Sequence, residues 1–208
     1  MTMATYTAAW VPDDDPERSW DEAAERAVSW LLEQAHALGG RPLLVTPTQQ
    51  QWQAGPDVIR QFVQTHEATT SRSRSAGFRQ RPVVAYVPDY GDMYLAASYA
   101  RDSVLAVVES RTAPLIGWAM EVHAVDLATG AVTADTRSPH QRSELERIDG
   151  YGNNGWTRGF GADRSASILD GLLRQDGIDA DIILGHMVAR GHDGRSIAHL
   201  KKIIERVR

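Results

Sequence analysis

Three short runs, at 42–45, 82–87 and 103–108, are apolar on both faces of an extended chain, and each is followed by a stretch with helical spacing. A strand apolar on both faces must be covered on both, which a parallel sheet layered between helices achieves. The intervening segments fit that role. The helix predicted at 56–64 opens on Gly55-Pro56 and turns Val58, Ile59, Phe62 and Val63 inward. The helix at 91–101 carries Met93, Leu95, Ala96 and Tyr99, and the one at 114–124 has Pro114 in its first turn. Upstream, Ser19 and Glu22 form a capping-box pair for a helix over 20–38. Its apolar residues Ala24, Ala27, Val28, Leu31, Ala35 and Leu38 recur on one side before Gly39-Gly40 ends it. The spacing predicts an α/β chain with a Rossmann-like, mainly parallel sheet.

The rhythm changes after residue 124. Val125 and Leu127 alternate with polar neighbours, Thr129-Gly130 turns the chain, and Val132 alternates with Thr133, which predicts a β-hairpin over 125–136 at one sheet edge. Residues 137–161 are polar and glycine-rich and read as a connector with a short helix at 141–148. Three amphipathic helices follow, at 163–173, 179–190 and 195–207. The expected organisation is therefore an α/β layer over 1–136, a connector over 137–161 and a helical region over 162–208.

Composition removes several classes of function. The chain has no cysteine, so it has no disulfides, thiolate metal sites or cysteine nucleophiles. Its apolar runs fall well short of the ~18 residues that span a bilayer, and its start lacks the basic and apolar regions of a secretory signal. A cytoplasmic protein without a membrane partner is expected. Net charge is −5 but segregated, with acids concentrated over 13–33 and bases over 190–208. The last two helices resemble a helix-turn-helix in outline, with Arg195, Ser196, His199 and Lys202 on the second. Overall negative charge opposes nucleic-acid binding, because phosphate neutralisation dominates such affinity. A helical cap or a homo-oligomer surface is the competing role for this tail.

Motif by motif, the chain departs from the common nucleotide and hydrolase signatures. Gly150-Tyr151-Gly152-Asn153-Asn154-Gly155 spells G-x-G-x-x-G, but a pyrophosphate cradle needs a strand before it and a helix directly after it, whereas polar residues precede this run and 156–161 reads as further loop. A backbone-amide nest beside Arg158 is the alternative reading. Ser71-Arg72-Ser73-Arg74-Ser75, with Arg79 and Arg81, forms a basic loop that enters a strand, opposite the usual ligand side. There is no G-x-S-x-G elbow and no Walker-type phosphate loop, and the seven histidines lack metal spacing. No cofactor or metal is implied.

Positive signals gather where strands end. Asp89 and Asp92 follow the strand at 82–87, Glu109 follows the strand at 103–108, and Thr46 and Thr48 follow the strand at 42–45. In a parallel sheet these positions converge on one crevice, where ribose hydroxyls or catalytic groups are commonly held. On the next helix, Gly117-Trp118-Ala119-Met120-Glu121-Val122 fits G-x-A-x-E-[IV]. That pattern, on a helix after a buried strand, resembles the nucleoside 2-deoxyribosyltransferase-like group. The resemblance covers six residues and implies a nucleophilic role for Glu121 in N-glycosidic hydrolysis or transfer, while 110–116 lacks the group's polar approach. Gly117 is expected to let a ligand come close to the backbone. The function expected is binding of a nucleotide- or nucleoside-like small molecule, with N-glycosidic chemistry at Glu121. The alternative is a non-catalytic regulatory protein whose basic tail contacts nucleic acid or a protein.

Overall fold

The computed structural model describes residues 5–73 and 80–208. Its strands are β1 (Thr7–Val11), β2 (Leu43–Val45), β3 (Glu67–Thr69), β4 (Val83–Tyr86), β5 (Val104–Val108) and β6 (Val125–Asp126). They form one sheet in the order β3-β2-β4-β5-β1-β6, and every pairing is parallel. The helices among the described residues are α1 (Trp20–Leu38), α2 (Gln49–Gln53), α3 (Asp57–Thr65), α4 (Tyr90–Tyr99), α5 (Ile116–Val122), α6 (Pro139–Tyr151), α7 (Phe160–Arg174), α8 (Ala180–Ala189) and α9 (Gly194–Val207). This is a Rossmann-like α/β layer, as the strand spacing predicts. No helix among the described residues is long and apolar enough to cross a membrane.

Alternation along each strand builds two cores. Leu44, Val84 and Ala106 face α1 and α3, meeting Ala24, Ala27, Val28, Leu31, Ile59 and Phe62. The alanines of α1 let that helix settle close to the sheet, and its start is fixed where the Ser19 hydroxyl accepts the Glu22 N–H at 3.1 Å. Leu43, Val83, Leu105 and Val107 face the other way and join one continuous core with α4, α5 and α6–α9. The C-terminal helices thus cover the second sheet face. Their tightest seam is α5 against α8. A Cβ on Gly117 would run into the Ile182 carbonyl, and one on Gly185 would meet the Trp118 nitrogen at 2.6 Å.

Some elements differ from the sequence reading. β1, β3 and α2 were not anticipated. β1 is Thr-Ala-Ala-Trp-Val, and alanine is a weak strand former. The polar segment at 137–161 holds a full helix, α6. Ser138 and Gln141 form its capping box, Pro139 occupies its first turn, and Leu145 and Ile148 are fully buried beneath it. The segment expected to be a hairpin sits at a sheet edge, yet its first limb, β6, pairs in parallel with β1. Its return limb makes a single antiparallel bridge, Val132 with Val125. Asp126 takes over the turn, its carboxylate accepting from the Ala128 N–H at 2.7 Å and the Thr129 hydroxyl at 2.9 Å.

Candidate functional site

Ligands in open α/β sheets bind outside the carboxyl ends of strands, where neighbouring strands send the chain to opposite faces. This sheet has two such points. β1 leads to α1 on one face while its neighbour β5 leads to α5 on the other. β2 leads toward α3 while its neighbour β4 leads to α4. Clefts open at both. One of about 470 Å³, beyond β2 and β4, is lined by Trp20, Thr48, Gln50, Gln51, Tyr86 and Val87 among others. A second, of about 200 Å³, lies beyond β1 and β5 and includes Asp13, Asp15, Arg18, Glu109 and Trp20. A third, of about 390 Å³, continues toward β6 and includes Trp10, Glu109, Asp126 and Val132. Trp20 belongs to the first two clefts, and Pro12 and Glu109 to the last two, so the three form one groove along the carboxyl edge.

Most of the predicted polar residues are at this edge, engaged in holding it together. The Thr46 hydroxyl is buried and donates to the Thr48 carbonyl at 2.9 Å. Thr48 caps α2 through Gln51 and lines the first cleft. Asp89 caps α4: its carboxylate accepts the Asp92 N–H at 2.8 Å, and Asp92 returns the favour to the Asp89 N–H at 3.1 Å. Asp92 is fully buried, and that burial pushes its carboxyl above the usual range. Glu109 is a strut between two loops. One oxygen accepts the Asp13 N–H at 2.7 Å and the other accepts the Leu115 N–H that opens α5. Burial raises its carboxyl as well, against those two hydrogen bonds. Val87 bears a strain of a different kind. It is β-branched, precedes Pro88 and sits at φ +45° on the rim of the first cleft, a conformation such residues rarely adopt.

Glu121 lies away from this groove. It is in the last turn of α5, facing α8, and lines none of the clefts just described. Its Oε2 accepts from Arg137 Nη2 at 2.9 Å and lies 3.0 Å from His186 Nδ1. Arg137 is 5% exposed and is also held by Asp135 through Nε at 2.7 Å and Nη2 at 2.9 Å. Burial alone would raise the Glu121 carboxyl, but His186 and then Arg137 outweigh it and bring it down to about 2. His186 Nδ1 is also 2.8 Å from Arg137 Nη1, and one ring nitrogen cannot accept from the guanidinium and donate to the carboxylate at once. The partner admitted by Gly117 is the α8 backbone, which occupies the approach expected of a ligand.

The remaining motifs resolve into packing. The G-x-G-x-x-G run spans the end of α6 and a short 3-10 turn (Gly152–Asn154) and wraps the buried Trp156. A Cβ on Gly152 would run into that indole, whose Nε1 donates to Ser165 Oγ at 3.1 Å. Asp149 binds His192 Nε2 at 2.7 Å and Arg190 Nε at 3.0 Å beside it. Arg158 is exposed and lines no part of the cleft beside this run. In the basic loop, Arg74, Ser75 and Arg79 lie outside the described residues. Arg81 is buried and donates to Glu67, to the Arg41 carbonyl and to the Pro42 carbonyl, clamping the start of β4 to β2 and β3. No cluster among the described residues has the ligands for a metal ion.

Sequence reasoning missed Asp13, Asp15, Trp20 and Tyr86 as groove residues, because without β1 the acids at 13–15 read as a solvated helix approach. A signal was present. Val11-Pro12-Asp13 and Val87-Pro88-Asp89 repeat the same tripeptide at the ends of two strands. Comparison with protein-family models, with curated proteins and with solved structures returns no match.

Proposed function

We propose that this protein binds a small, ring-bearing polar molecule of nucleoside or nucleotide type in the groove along the carboxyl edge. The observation that carries the reading is the continuity of three clefts across both points where the chain diverges to opposite faces. Exposed aromatic surface, free amide groups and carboxylates occur along that one line, the mix that ring-and-hydroxyl ligands require. Binding without bond cleavage is the reading the geometry favours. N-glycosidic chemistry rests on the six-residue resemblance, and Glu121 is bound to a buried guanidinium away from the groove. A second reading draws on α9, whose exposed Arg195, Lys202 and Arg206 recur on one side and suit a phosphate backbone.

A thermal-shift screen over nucleosides, nucleotides, dinucleotides and a short DNA duplex separates these readings. A groove ligand at a hundred times its Kd adds ~2.7 kcal/mol, about 5–10 °C in Tm for a chain of this size. Ala54→Trp, at an exposed position lining the first cleft, should abolish that shift while the protein stays folded. A shift that survives Ala54→Trp, or one produced by the duplex alone, rejects the groove reading.

A further inference from the structure

The groove is chemically divided. Every described residue lining the cleft beyond β2 and β4 is uncharged. Trp20 presents its ring there at 44% exposed, unusual for a tryptophan in the first turn of a helix. Tyr86 is 6% exposed and lines the same cleft, and its hydroxyl has no hydrogen-bond partner among the described residues. Burial, with Asp21 nearby, pushes that hydroxyl up to about 12, so it stays a donor at neutral pH. Gln51 engages its Oε1 with the Thr48 N–H at 2.9 Å, leaving its amide NH₂ outside that cap. A hydroxyl donor open to the cleft, with no protein partner among the described residues and beside an exposed aromatic face, matches an uncharged planar ring with acceptor atoms on its edge.

The adjoining half is acidic. Asp13, Asp14, Asp15, Glu109 and Asp126 line the second and third clefts. Only Arg18 and Arg111 oppose them there, and both are already paired. Arg18 is held by Asp14 at 3.2 Å and by the Pro12 carbonyl at 2.6 Å, and Arg111 by Asp13 at 3.1 Å. A phosphate entering this half would meet net negative charge with no free cation among the described residues that line it, whereas hydroxyl groups could donate to the carboxylates.

We infer that the ligand is an unphosphorylated nucleoside-type molecule, its heterocycle stacked on Trp20 within reach of the Tyr86 hydroxyl, its hydroxylated part toward Asp14 and Asp15. This rests on the groove reading above and narrows it, with phosphate excluded by the acidic half. Isothermal titration of the full chain with adenosine, inosine, uridine and cytidine and with their 5′-monophosphates tests it. At least one nucleoside should bind about tenfold more tightly than its monophosphate at low salt, with the gap narrowing as salt screens the carboxylates. Trp20→Ala should weaken the nucleoside about ten- to hundredfold, and Tyr86→Phe should weaken it several-fold without lowering Tm. Asp14→Asn with Asp15→Asn should bring nucleoside and monophosphate affinities together. A monophosphate that binds as tightly as its nucleoside, or discrimination unchanged in the double variant, overturns the inference and leaves the groove reading standing. Undiminished affinity in both Trp20→Ala and Tyr86→Phe overturns the assignment of the ring. If none of the eight compounds binds, the groove reading fails and this inference with it.

Discussion

The carboxylates of the carboxyl edge and those of the α5–α8 seam are bonded to different kinds of partner. At the edge, Asp89, Asp92 and Glu109 accept from backbone N–H groups at loop and helix starts, and Asp89 does so in the open. In the seam, Glu121 and Asp135 accept from one guanidinium, Arg137, that water scarcely reaches. The difference is one of replaceability. A backbone amide that loses its carboxylate at an edge finds water nearby, whereas a buried guanidinium that loses its carboxylates is left as a bare charge in a poor solvent. The seam should therefore be the rigid region and the edge the adaptable one, which is the division a ligand groove needs.

The largest effect should come from breaking the seam at its cation. Arg137→Ala removes the cation that Glu121 and Asp135 share, leaving Glu121 to His186 and Arg190 and Asp135 to Arg142, and should cost ~3 kcal/mol in urea unfolding. A loss below ~1 kcal/mol would show that water already serves the seam. Next is Glu121→Gln. Because Glu121 is held at about 2 against an ordinary 4.5, its contribution is fully present above about pH 4.5 and lost as pH falls toward 2. The variant should lose ~2 kcal/mol at pH 7, as order of magnitude, and show a flatter acid limb of stability between those values. An acid limb parallel to wild type would place the carboxylate outside the folding equilibrium. The smallest effect is expected at the edge, where Asp89→Ala removes the α4 cap for ~1 kcal/mol. Faster amide exchange should then be confined to the first turn of α4; spread into α8 would erase the contrast between the two regions.

How legible each region was in the sequence follows the same physics. β4 and β5 were visible because Val-Val-Ala-Tyr and Val-Leu-Ala-Val-Val are apolar on both faces, a local property. β1 was not, since Ala8 and Ala9 owe their strand conformation to β5 and β6 on either side. α6 was masked by its glycines and charges, although Ser138, Pro139 and Gln141 announced its start. Thr46, Thr48, Asp89, Asp92 and Glu109 follow strands in the sequence as in the fold, and Asp89 was also legible as the cap of the next helix, whereas the roles of Thr46, Asp92 and Glu109 in holding the edge were not. For Glu121 the deciding partners are Arg137 and His186, 16 and 65 residues away in the chain. No spacing rule connects them, because the seam is made by helix packing.

The place of β1 between β5 and β6 also governs how the chain is made. Its hydrogen-bonding partner emerges from the ribosome roughly a hundred residues later, an interval of about 5–20 s at ordinary elongation rates. During that time the segment has neither neighbour, and an exposed strand former is a nucleus for aggregation. Thr7, Trp10 and Val11 favour extended chain and only Ala8 and Ala9 do not, so this short segment must be kept from other strand edges until the slot between its neighbours exists.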